Sequence, residues 1–103
     1  MNTQVILLKS GTLITAAETF TADILIIGEK IHAIGKDLAH PDAQVIDLEG
    51  KLVMPGGVDP HVHLDLPMFN TVSSDDYYSG HKAAAFGGTT TVIDFVAQDH
   101  PTL

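Results

Sequence analysis

The sequence predicts a chain of mixed β and α/β class: part of a small β-sandwich domain over residues 1–55, then the start of a parallel strand-helix-strand architecture over residues 56–103. Three observations predict it. Up to about residue 54 the chain is a series of short apolar, β-branched runs separated by turn residues, the pattern of half-buried strands. At Pro55-Gly56-Gly57 that pattern stops. Beyond it, a stretch rich in good helix formers lies between two apolar runs, which is the signature of one βαβ unit.

Residues 4–8 form the first apolar run, and Lys9-Ser10-Gly11-Thr12 is expected to turn the chain. Residues 22–27 are almost continuously apolar. Gly28-Glu29-Lys30 closes that run and Ile31-His32-Ala33-Ile34 begins the return strand, a hairpin signal. Residues 36–42, with Asp37, His40 and Pro41, read as a surface loop. Residues 44–48, then Glu49-Gly50, then residues 51–54 make a second strand-turn-strand unit. Strands this short at this spacing suggest part of a sandwich.

Residues 58–64 are expected to be the first strand of the second part, with irregular pairing where Pro60 has no amide to donate. Residues 66–72 read as a loop carrying apolar side chains. Ser73 or Ser74 then caps a helix whose first turn holds Asp75 and Asp76, placed to complement the helix dipole. The helix runs through Ala83-Ala84-Ala85 to Phe86 and stops at Gly87-Gly88. Residues 89–96 read as a strand buried on both faces. Strand, helix and strand in so short a span imply a parallel pair with a right-handed crossover.

Composition narrows the function classes. Thirteen carboxylates face five basic residues, for a formal charge of −8. Such a chain has no basic patch to follow phosphates or an anionic bilayer, so neither nucleic acid nor a membrane surface is an expected partner. No apolar run approaches the roughly 20 residues that span a bilayer. There is no cysteine, hence no disulfide framework and no thiolate metal site, and the expected setting is soluble and cytoplasmic.

The chemistry concentrates in Pro55-Gly56-Gly57-Val58-Asp59-Pro60-His61-Val62-His63-Leu64-Asp65. In an extended chain, alternate side chains share a face, so His61 and His63 would point the same way with α-carbons about 6 to 7 Å apart. Two imidazoles so placed can converge on one cation at about 2.0 to 2.1 Å from each nitrogen. Imidazole suits zinc, nickel or iron, whereas magnesium or calcium would want oxygen ligands. Asp59 and Asp65 share the parity of the histidines and could orient them from behind. The plain alternative is a strand end with two unrelated histidines.

Gly57-Val-Asp-Pro-His-Val-His-Leu-Asp65 resembles the metal-binding signature of the amidohydrolase superfamily, above all its dihydropyrimidinase and hydantoinase branch. Leu7-Leu8-Lys9-Ser10-Gly11-Thr12 and Ile46-Asp47-Leu48-Glu49-Gly50-Lys51 resemble that branch's opening strands, and Asp75-Asp76-Tyr77-Tyr78-Ser79-Gly80 and the run from Ala83 to Thr91 resemble the segment next to its metal motif on the C-terminal side. The resemblance implies that residues 56–103 begin a metal-dependent (β/α)8 barrel and that the small β-domain is completed from the other chain end. A barrel of this kind takes about 250 residues, so the chain is expected to be the N-terminal piece of a longer enzyme, inactive alone.

The resemblance further implies two zinc ions per subunit, with manganese, nickel or iron as alternatives. It makes His61 and His63 metal ligands, and expects the bridging carboxylated lysine, two more histidines and a catalytic aspartate downstream. Lys82 reads as a solvated helix lysine rather than the bridging one. The implied reaction is hydrolytic opening of the cyclic amide bond of a dihydropyrimidine or hydantoin, by a homo-oligomer, dimer or tetramer. Dihydroorotases carry arginine two residues after the second histidine. Asp65 stands there instead, and would repel an anionic substrate, which favours a neutral cyclic ureide. Leu64, Leu66, Met68 and Phe69 fit a hydrophobic lid over the substrate, or equally packing against neighbouring loops. The alternatives are a non-catalytic dihydropyrimidinase-like scaffold, which would tend to lose the metal histidines, or another cyclic amidohydrolase such as an allantoinase or dihydroorotase. His32, His40, His81 and His100 read as solvated or locally satisfied.

Overall fold

The computed structural model describes residues 3–65, 67–68, 71–72 and 74–95, and residue contacts divide the chain into two units, Met1–Pro55 and Gly56–Leu103. Most described elements are strands, with one helix.

In the first unit, β1 (Val5–Ile14), β2 (Thr19–Ile27), β3 (Lys30–Gly35), β4 (Gln44–Asp47) and β5 (Leu52–Val53) form one sheet. The expected hairpin is β2–β3, antiparallel, closed by two residues with Ile27 opposite Lys30. Gly28 takes the first central position at φ +61°, where a two-residue hairpin turn of matching twist favours glycine. The second strand-turn-strand unit is not a hairpin. β4 and β5 instead lie end to end along the same edge of β1, each parallel to it, with Gln44 opposite Ile6 and Leu52 opposite Thr12.

The turn expected at Lys9-Ser10-Gly11-Thr12 does not form. β1 runs straight through it, and the pairing with β2 slips between Leu8 and Gly11, which is a β-bulge with Ser10 at φ +59°. One extra residue reverses the parity of everything beyond it. Val5 and Leu7 therefore pack with Leu25 in one buried cluster, whereas Leu13 packs with Ala22 and Ile24 in another, alongside Leu8 from before the bulge. A single strand thereby feeds two faces.

Asp23 holds the bulge in place. The residue is only 5% exposed, and its carboxylate accepts the Ser10 amide at 2.8 Å, the Leu38 amide at 3.1 Å and the Lys9 ammonium at 3.0 Å. These donors, the Ser10 amide foremost, hold its pKa below the ordinary carboxylate value. The sheet still leaves apolar groups in water. Ile31, Ile34 and Met54 border an open apolar groove, each more than half exposed.

In the second unit, β6 (Gly57–Val62) pairs in parallel with β9 (Thr89–Asp94), and α1 (Tyr77–Phe86) connects them, so the expected βαβ unit is present. The segment read as a loop contains a short antiparallel pair, β7 (Pro67–Met68) with β8 (Thr71–Val72). The helix starts later than Ser73 or Ser74 would place it. Its N-cap is Asp76, whose Oδ1 accepts the Ser79 amide at 2.7 Å while the Ser79 hydroxyl accepts the Asp76 amide, a capping box with serine in the fourth position. The acids thus sit at and before the cap, with none in the first turn. Gly87 and Gly88 end the helix as expected, Gly88 at φ +90°.

β9 is not buried on both faces. Ile93 is 53% exposed, because one strand and one helix supply too little surface to enclose it.

Candidate functional site

The His61-Val62-His63 segment leaves β6 at its C-terminal end, and its backbone shows why a proline is tolerated there. Pro60 offers no amide to β9, and pairing is interrupted between Asp59 and Val62. Asp59 Oδ1 fills the gap locally by accepting the His61 amide at 3.1 Å, a two-residue side-chain turn. Register resumes at Val62, which lies opposite Asp94 and accepts the Phe95 amide at 3.0 Å. The two histidines flank the residue at which pairing is restored.

Their rings converge. Nε2 of His61 lies 3.1 Å from Nε2 of His63, with ring centroids 4.9 Å apart and planes at 74°. Two nitrogens 3.1 Å apart subtend roughly 100° at a cation about 2.05 Å from each, close to a tetrahedral angle. The spacing suits two neutral imidazoles on one ion, each with its proton on Nδ1. Without an ion, one ring must donate to the other. Among the described residues no group of three or more His, Cys, Asp or Glu side chains is placed to hold a metal, so this pair is two ligands and not a complete set.

Three residues that the sequence alone does not single out frame the pair. The Phe95 ring lies 4.1 Å from that of His61 and 5.9 Å from that of His63, an apolar wall along one side. Asp94 Oδ1 accepts the Leu64 amide at 3.4 Å. Tyr77, the first residue of α1, neighbours the Asp94 carboxylate, whose hydrogen-bonding pull and negative charge hold the phenol above its ordinary pKa. The signal that could have found two of them is positional: Asp94 ends the strand that pairs with the motif, and Phe95 follows it.

Asp65, among the other expected site residues, is at φ +50°, and its amide donates to the Asp75 carbonyl at 2.8 Å. Leu64 packs against Gly80 of α1. Met68 belongs to β7, and Leu66 and Phe69 lie outside the described residues. Lys82 stands 5.8 Å over the Tyr78 ring on the helix surface, His81 bonds the Tyr77 carbonyl, and His40 accepts the Asp42 amide. His32 is exposed on β3, and His100 lies outside the described residues.

The model of the Amidohydrolase family matches residues 44–102. The D-hydantoinase of Geobacillus stearothermophilus is 55% identical over 89 residues, covering 86% of this chain and 19% of that protein. Dihydropyrimidinase 1 of Caenorhabditis elegans is 41% identical over 96 residues, covering 92% of this chain and 20% of that protein. A crystal structure of a D-hydantoinase superposes with a TM-score of 0.90 at 49% identity, over 95% of this chain and 21% of that one. The chain therefore spans about a fifth of the length of the relatives it matches. On the family match over more than half its residues, and with its likeness to D-hydantoinases and dihydropyrimidinases, the chain belongs to the amidohydrolase family.

Proposed function

We propose that the protein carrying this segment is a metal-dependent cyclic amidohydrolase that opens dihydropyrimidine or hydantoin rings. The observation that carries the reading is the 3.1 Å approach of the His61 and His63 Nε2 atoms at the end of β6, in a chain 55% identical to a D-hydantoinase. His61 and His63 would be ligands of one ion, with their Nε2 lone pairs committed to it and therefore unavailable as bases. When bound, the metal supplies Lewis-acid polarisation of the ring carbonyl and a water acidified toward neutral pH. Zinc is the proposed ion, two per subunit, and imidazole donors would also accept manganese, nickel or iron.

The chain's own residues set the surroundings. Phe95 excludes water from one side of the imidazoles. Asp59, Asp65 and Asp94 keep the neighbourhood negative, which disfavours an anionic substrate and supports a neutral cyclic ureide. In the same reading, Gly56 onward opens a (β/α)8 barrel with the histidines at the C-terminal end of its first strand. The uncovered apolar groove of the first unit supports a sandwich whose second layer comes from elsewhere. The lid role of Leu64, Leu66, Met68 and Phe69, the orienting role of Asp59 and Asp65, a homo-oligomeric assembly and a cytoplasmic setting belong to this proposal as well.

The test is metal content and turnover of the intact protein. About two ions per subunit and hydrolysis of dihydrouracil or hydantoin are expected. A metal-free protein inert to both rings, or one that prefers dihydroorotate, would overturn the reading.

A further inference from the structure

We propose that Asp94 is a positioning residue for the His61/His63 pair, fixing the chain just beyond His63 through the Leu64 amide. The inference rests on the metal reading of that pair.

The strand ladder alone does not determine where His63 sits. β6 is in register with β9 up to Asp59, loses it across Pro60, regains it at Val62 and ends there. His63 lies one residue past the strand, and the next amide along the chain is held by Asp94 Oδ1 at 3.4 Å, near the long limit of a hydrogen bond. Asp94 is also the backbone partner of Val62, between the two histidines. The Phe95 amide, donated to the Val62 carbonyl at 3.0 Å, closes the ladder between the histidines, and the Asp94 side chain holds the first amide beyond them.

Asp94 holds a backbone amide, and it therefore acts through the chain and not on an imidazole. Displacing His63 by even a fraction of an ångström would strain the near-tetrahedral N–metal–N angle that the 3.1 Å spacing of the rings allows. A carboxylate that fixes the chain beside the ligand can then control affinity much as outer-shell partners do.

The experiment uses the intact protein and zinc alone, with affinity read by competition against a chelator at a temperature where circular dichroism shows each variant folded. Wild type is expected to bind zinc and His61→Ala to lose it. Asp94→Ala should bind about tenfold more weakly, the low end of what outer-shell changes produce. Asp94→Asn, which keeps an acceptor for the Leu64 amide, should stay close to wild type. Asp94→Ser, too short to reach that amide, should weaken binding as Asp94→Ala does.

Asp94→Ala with lowered thermal stability but wild-type zinc affinity would overturn the inference, since that is the signature of a purely structural residue. So would Asp94→Asn binding as weakly as Asp94→Ala, because charge and not hydrogen bonding would then be at work. Should Asp94→Ala fail to fold, Asp94→Ser decides: unchanged affinity overturns the proposal and weakened affinity supports it. Zinc binding absent in wild type, or undiminished in His61→Ala, sinks the metal reading itself and this inference with it.

Discussion

The two units have similar lengths and opposite patterns of burial. Every side chain buried among the described residues belongs to the first unit: Val5, Leu7, Leu13, Ala22, Ile24, Leu25 and the carboxylate of Asp23. In the second unit Val58, Phe86 and Ile93 are all more than half exposed, and α1 buries no residue. A five-stranded sheet with a bulged central strand has two faces on which to gather side chains, whereas a two-stranded parallel pair with one helix does not. The histidine pair lies in the unit with the lesser core. Its geometry is local, set by strand alternation, an aspartate turn and the end of β9, and it forms without a surrounding core.

Removing a histidine should therefore separate chemistry from fold most sharply. His61→Ala or His63→Ala in the intact protein is expected to lower turnover by more than the roughly 100-fold seen for outer-shell changes, with loss of metal. Far-UV circular dichroism should hardly change, because both rings are exposed. Collapse of the fold in either variant would mean that the site is structural and that the contrast between the units is misdrawn.

Legibility in the sequence divides along the same line between local and distant causes. The parity of His61 and His63, the stop at Gly87-Gly88 and the hairpin turn at Gly28 depend on a few consecutive residues, and all are legible. The β1 bulge is not. Lys9-Ser10-Gly11 has turn chemistry, and only the buried Asp23, thirteen residues on from Ser10, makes a kinked strand the better solution. The run of β4 and β5 along β1 is equally remote, since Gln44 pairs with Ile6. Asp94, Phe95 and Tyr77 escape a linear reading because their meaning arises only when β9 and α1 come beside β6. The cap moves from serine to Asp76 because Ser79 can complete a reciprocal box there, a preference of individual hydrogen bonds that composition does not rank.

Asp23 gives the next largest effect, now on the first unit. Asp23→Ala removes three donors' acceptor at once and leaves the Ser10 and Leu38 amides unpaired, a cost of about 3 kcal/mol. Faster hydrogen exchange at those two amides is expected, with the zinc affinity of the second unit untouched. The pH dependence has a definite sign. The folded carboxyl titrates below its unfolded value of 3.8, so its contribution is fully present above that value and is lost as the pH falls through the lower, folded one. Asp23→Asn should accordingly flatten the acid limb of the first unit's stability curve. An acid limb unchanged in that variant would show that Asp23 is not the group responsible.

The smallest effect tests whether the second unit has any tight packing of its own. Gly80 sits inside α1, where alanine would be worth about 1 kcal/mol more in helix propensity. A β-carbon there would fall on the end of the Leu64 side chain, next to His63. Leu64 can swing away, at about 0.5–1.5 kcal/mol if it must leave its rotamer, so the two terms nearly cancel and Gly80→Ala alone should be close to neutral. In a Leu64→Ala background the obstacle is gone, and the same change should stabilise by about the full propensity difference. That non-additivity is the measurement. Equal effects in both backgrounds would mean that Leu64 does not rest on the helix, and the second unit would then hold its histidines through hydrogen bonds and strand pairing alone.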